Sequence, residues 1–150
     1  ACVHKLTAEC FGLDPAGDWL LFDFHARRLL GELGQGIKLC VPAGDVRLLR
    51  ISRRREHPWL LSTDLHLSQG GASVDSVVWD DQMCVLSVSL RRAAGERGAL
   101  WLQVPRGWDL VDDADGRLLM VAGQHDHVCR VPLDFHDAVL ELSLRFQRLD

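Results

Sequence analysis

His125-Asp126-His127 is the most suggestive short motif in the chain. On a β-strand, residues two apart share a face, so His125 and His127 could hold one metal ion between them. A zinc site needs a third protein ligand at about 2.0–2.3 Å, and His25, His66 and His136 are the candidates. The competing reading is a strand end beside a turn. Asp112-Asp113-Ala114-Asp115-Gly116 resembles half of a calcium loop. Counting back from Gly116 puts Val111 at the first ligand position and Ala122 at the last, and neither can ligate, so the segment reads as a turn. Paired carboxylates for glycoside hydrolysis must stand about 5–10 Å apart. Asp23, Asp64, Asp75, Asp80, Asp134 and Asp137 fall at strand ends or in turns, and nothing in the sequence marks two of them as partners. There is no G-x-S-x-G, phosphate loop or dinucleotide fingerprint, so no cofactor is implied.

Five tryptophans are many for 150 residues. Trp59, Trp79, Trp101 and Trp108 are spread along a β pattern, and Trp101 occupies the outward phase of its strand. An exposed indole can stack on a sugar ring or fill an interface pocket. Trp101 and Trp108 are therefore the candidate contacts with a ligand or partner domain. The alternative is that a neighbouring loop covers that outer face.

Short strands with alternating side chains must position these groups. Leu86, Val88 and Leu90 alternate with Ser87, Ser89 and Arg91. Leu100, Leu102 and Val104 alternate with Trp101 and Gln103. Leu140, Leu142, Leu144 and Phe146 alternate with Glu141, Ser143 and Arg145, and Ile37, Leu39 and Val41 with Lys38 and Cys40. Each run has one buried and one wet face, which is the antiparallel pattern. Turn signals separate the runs: Asp14-Pro15-Ala16-Gly17, Pro42-Ala43-Gly44-Asp45, Gln69-Gly70-Gly71, Ala94 to Gly98, and Asp112 to Gly116. The expected strands are 18–24, 27–33, 36–41, 45–53, 59–63, 73–79, 84–92, 98–105, 117–123, 126–132 and 138–146. Segment 26–33 has a helical turn as its alternative. The fold class is all-β, an antiparallel two-sheet β-sandwich with Greek-key-like connections. It is expected as a single domain over residues 1–150, with 1–10 as a leading segment and His57-Pro58 as the break between sheet halves.

Composition narrows the function classes. The chain is 47% hydrophobic and 25% charged, with a net charge of −4. That size is one domain and is too short for a (β/α)8 barrel of about 250 residues. The acidic balance argues against a nucleic-acid partner. No stretch approaches the ~18 apolar residues of a membrane span, so no membrane partner is expected. There are 15 Arg against two Lys, few Ile, and no Tyr or Asn, a bias that a GC-rich genome explains. Arg53-Arg54-Arg55 then reads as a solvated connection before it reads as a phosphate patch. Cys2, Cys10, Cys40, Cys84 and Cys129 are odd in number, scattered, and form no C-x-x-C. Reduced thiols favour a cytoplasmic location.

Three stretches carry a family resemblance. The first is Phe11-Gly12-Leu13-Asp14-Pro15 through Trp19-Leu20-Leu21-Phe22-Asp23-Phe24, continuing to Arg28-Leu29-Leu30-Gly31. The second runs from His57-Pro58-Trp59-Leu60-Leu61 to Ser68-Gln69-Gly70. The third is Val77-Val78-Trp79-Asp80, with Leu86-Ser87 and Val104-Pro105-Arg106-Gly107-Trp108. Over residues 10–150 they resemble the C-terminal β-sandwich of bacterial α-galactosidase-like (melibiase-type) glycoside hydrolases. The resemblance implies a Greek-key sandwich that buttresses a catalytic barrel, with both catalytic aspartates on that barrel. No catalytic residue is carried onto this chain. The expected role is a non-catalytic accessory domain whose partner is a catalytic barrel, with a contiguous exposed apolar patch where it packs. The alternatives are a carbohydrate-binding module using exposed Trp101 and Trp108, and a small metal-dependent enzyme at His125 and His127.

Overall fold

The computed structural model describes residues 2–111, 119–122 and 126–149. The chain divides into two compact units, Ala1–Arg54 and Arg55–Asp150, a division that falls just before His57-Pro58. Every sheet lies within one unit.

The first unit carries two small antiparallel sheets. Strand β1 (Cys2–Leu6) pairs with β4 (Ile37–Val41) as a two-stranded ribbon. Strand β2 (Trp19–Asp23) lies between β3 (Arg28–Glu32) and β5 (Leu49–Arg53). The turn at 14–17 forms as its sequence requires. The Asp14 carboxylate accepts the Ala16 N–H at 2.9 Å, and the Gly17 N–H reaches the Asp14 carbonyl at 3.1 Å. Within segment 26–33 the strand is Arg28–Glu32, preceded by a turn at 24–27 and followed by a single 3₁₀ turn at Leu33–Gln35. Leu20, Leu21 and Phe22 are buried in succession.

The second unit is the two-sheet sandwich. One sheet has the order β10 (Trp108–Leu110), β13 (Val139–Arg148), β8 (Val85–Arg91), β7 (Val74–Asp80). The other has the order β11 (Leu119–Ala122), β12 (Asp126–Asp134), β9 (Arg97–Pro105), β6 (Trp59–Thr63). All pairings are antiparallel, and successive strands cross between sheets everywhere except in the β7–β8 and β11–β12 hairpins. The core lies between the sheets. Leu86, Val88 and Leu90 face inward from β8, Leu144 and Phe146 from β13, Leu100, Leu102 and Val104 from β9, and Cys129, Val131 and Leu133 from β12. Burying each Leu or Phe contributes about 1.5–3 kcal/mol. A bulge at Leu61 resets the phase of β6, so Leu60 and Thr63 both sit beside core residues of β9.

Two expectations change. The outer face of β9 is not wet: Ala99, Trp101 and Gln103 are as buried as Leu100 and Leu102. β9 is a central strand covered on both faces, and alternation of residue type does not report what covers the second face. Strands β1 and β10 were also not expected. β1 buries no residue and so has no alternation to read, and β10 is only three residues long. The turn at Asp112–Gly116 lies outside the described residues.

Candidate functional site

The acidic side chains go mainly to structure. Asp14, Asp23, Asp45, Asp64, Asp80 and Asp109 each accept main-chain N–H bonds, at 2.7–3.0 Å. The Asp64 bond is long-range: its Oδ1 accepts the Ala99 N–H at 2.7 Å and ties the loop after β6 to β9. Asp75 pairs with Arg91 at 3.1 Å, Asp134 with Arg97 at 3.3 Å, Glu96 with Arg92 at 2.6 Å, and Glu32 with Arg54 at 3.7 Å. An open groove of about 810 Å³ runs over β12 and β13, lined by Arg97, Arg130, Pro132, Asp134, His136 and Leu140, among others. Among the described residues that line it, Asp134 is the one carboxylate, and Arg97 holds it.

His127 lies on β12 opposite Val104, in phase with Cys129, and is half-buried. His125 lies outside the described residues. His66 accepts the Ser68 N–H on its Nδ1 at 3.1 Å, and His25 packs edge-on to Phe24. Among the described residues no three His, Cys, Asp or Glu side chains converge as metal ligands. None of the five cysteines forms a disulfide; Cys2, Cys10 and Cys40 are exposed and Cys129 is buried. Cys10 has the most altered surroundings. The Thr7 hydroxyl, 3.5 Å from its sulfur, holds the thiol below its ordinary range, and holds the nearby Glu9 carboxyl low as well. Among the described residues no helix is long and apolar enough to cross a membrane.

The exposure expected of Trp101 and Trp108 is not found. They are 4% and 5% exposed, and neither presents a ring face to an outside ligand. Trp108 points inward with Leu110, because β10 pairs with β13 in the register that sets Leu110 opposite Phe146. Its indole N–H donates to the Glu56 carbonyl at 2.9 Å.

The half-buried tryptophans of the second unit, Trp59 and Trp79, gather at one end of it. The segment Arg55–Pro58 leads into β6 and is stitched to the sandwich from below. Gln103, 2% exposed, accepts the Arg55 N–H on Oε1 at 3.3 Å and donates from Nε2 to the Arg55 carbonyl at 3.1 Å. With Trp108 on the Glu56 carbonyl, two buried side chains fix this strap. His57, its Nδ1 donating to the Pro58 carbonyl, stacks on Trp79 with centroids 4.9 Å apart and planes 5° from parallel. It meets Trp59 edge-on at 5.4 Å. Trp79 in turn meets Trp108 edge-on at 5.2 Å. The Arg55 guanidinium lies 4.8 Å over Trp59, and that of Arg148 lies 5.0 Å over Trp108. Sequence reading missed this cluster because its members are distant in the chain. The nearest signal was the packed string Arg55-Glu56-His57-Pro58-Trp59.

The apolar side chains that stand most exposed, Val3, Val46, Leu67, Val78 and Met83, come from several elements, and only Val78 and Met83 share a hairpin. Comparison with protein-family models, with curated protein sequences and with solved structures finds no match for the chain.

Proposed function

We propose that the chain is a non-catalytic β-sandwich module, the accessory domain of a glycoside-hydrolase-like protein, whose partner is a catalytic barrel carried elsewhere. The observation that carries this reading is the use made of its acids. Asp14, Asp23, Asp45, Asp64, Asp80 and Asp109 cap main-chain donors, Asp75 and Asp134 pair with arginine, and among the described residues the groove over β12 and β13 offers one acid where hydrolysis needs two. A sandwich of this kind contributes packing surface and orientation, and its chemistry is that of the domain it serves. The family resemblance supplies the partner's class.

The test is the complete reading frame that carries the chain, expressed and assayed with and without residues 55–150. A barrel-sized neighbour whose yield or thermal stability falls when the sandwich is removed supports the proposal. A frame with no second domain, or a barrel indifferent to the deletion, overturns it.

A further inference from the structure

We propose that the aromatic end of the second unit, built from Arg55, His57, Trp59 and Trp79 with Arg148 and Trp108 beside them, binds an acidic sugar: a pyranose that carries a carboxylate.

Two features carry the argument. The first is the state of the arginines. Arg91, Arg92 and Arg97 each have a carboxylate within 3.3 Å. Arg55 and Arg148 are exposed, and among the described residues neither has a carboxylate partner; each lies over an indole instead. A guanidinium held over a ring gains from its charge and keeps its N–H donors for an anion. Those donors are the pre-organised fork that accepts a carboxylate through two parallel bonds. The second is how firmly the site is built. The strap that carries Arg55 and His57 is fixed by Gln103 and Trp108, both buried, so the guanidinium projects from a settled backbone.

The rings choose the ligand class. His57, Trp59 and Trp79 are half-buried, and Trp59, which meets His57 edge-on, lies under the Arg55 guanidinium. The apolar face of a pyranose stacks on such rings, and the acid group on the same sugar takes the fork. Two arginines on one connected ring cluster favour an oligomer of acidic sugars over a single one. The acids nearby do not fill the fork: Glu56 is exposed beside Arg55 with no ion pair among the described residues, and Asp81 accepts the Trp79 indole N–H at 3.3 Å. This site is independent of the accessory role, so the failure of either leaves the other standing.

The test is calorimetric titration of the whole chain with trigalacturonate, with neutral galactotriose and sodium sulfate as comparison ligands. The expected result is binding of trigalacturonate that weakens with added salt and falls at least about tenfold in R55Q. R91Q, which removes an exposed arginine already paired with Asp75, should bind as the parent does. Circular dichroism of R55Q confirms that it is folded, since the replaced side chain is exposed. No binding of trigalacturonate, equal affinity for the neutral trisaccharide, or an unchanged R55Q overturns the proposal. Sulfate binding as tightly as trigalacturonate reduces the site to a simple anion site and overturns the sugar assignment.

Discussion

Gln103 offers the sharpest test of how the second unit is held together. Its side-chain amide is almost wholly buried and makes both an accepting and a donating bond to the main chain of Arg55. Leucine is close to glutamine in size, so Gln103→Leu removes both bonds without opening a large cavity. At about 0.5–1.5 kcal/mol net per bond, the pair contributes about 1–3 kcal/mol. Both bonds are part-buried, so the expected loss lies within that range. A domain of this size loses about 4–8 °C in Tm per kcal/mol. Gln103→Glu asks more. The carboxylate still accepts from Arg55, but its second oxygen faces the Arg55 carbonyl and can donate there only when protonated. Burial and this contact raise the folded pKa above the unfolded value of about 4.3. The folded state then binds more protons than the unfolded one, and stability falls as pH rises through that window. Urea unfolding followed by tryptophan fluorescence should therefore show a pH-independent penalty for Gln103→Leu. For Gln103→Glu the penalty should be small at pH 4.5 and larger at pH 7.5, each relative to the parent at the same pH. An unchanged midpoint in Gln103→Leu, or equal penalties for Gln103→Glu at the two pH values, would mean that these bonds do not hold the strap.

Three further outcomes follow from single sites. The Thr63 hydroxyl is buried with no partner among the described residues, so Thr63→Val should fall between neutral and about 1 kcal/mol more stable by urea unfolding; a loss of stability would mean the hydroxyl is satisfied. A Cβ at Gly98 would stand 2.5 Å from Leu65 Cδ2 and 2.7 Å from Asp64 Oδ1. Gly98→Ala must then displace the carboxylate that ties the loop to β9, costing about 1–3 kcal/mol in thermal or urea unfolding; an unchanged midpoint would count against that tie. Cys10 should be alkylated by iodoacetamide faster than Cys2 and Cys40 at pH 7, because the Thr7 hydroxyl favours its thiolate. Thr7→Val should slow Cys10 at pH 7 and leave its rate at pH 10 nearly unchanged, read by mass spectrometry of the labelled peptides; equal slowing at both values would point to access and not ionisation.

The second unit was legible where burial is one-sided. β8 and β13 alternate Leu or Val with Ser, Glu and Arg because one face meets the core and the other meets water, and their positions were readable from that alone. β9 misled for the opposite reason: Trp101 and Gln103 sit in the outward phase but are buried, and no local pattern reveals what covers a sheet from outside. The turns at 14–17 and 42–45 were readable because Asp, Pro and Gly act within four residues. In the second, the Asp45 N–H reaches the Pro42 carbonyl and Gly44 takes a φ of 78°. The aromatic end was not readable. It depends on β7, β10, β13 and the strap before β6 meeting in space, and registers between strands tens of residues apart are fixed by packing and not by any local signal.

Under the proposed accessory role, the chain carries no reactive centre of its own. The direct measurement is release of nitrophenol from a panel of aryl α- and β-glycosides by the purified 150-residue protein. The expected rate is indistinguishable from buffer for every substrate. Turnover that survives further purification and disappears on replacing a single carboxylate, Asp134 for example, would contradict it.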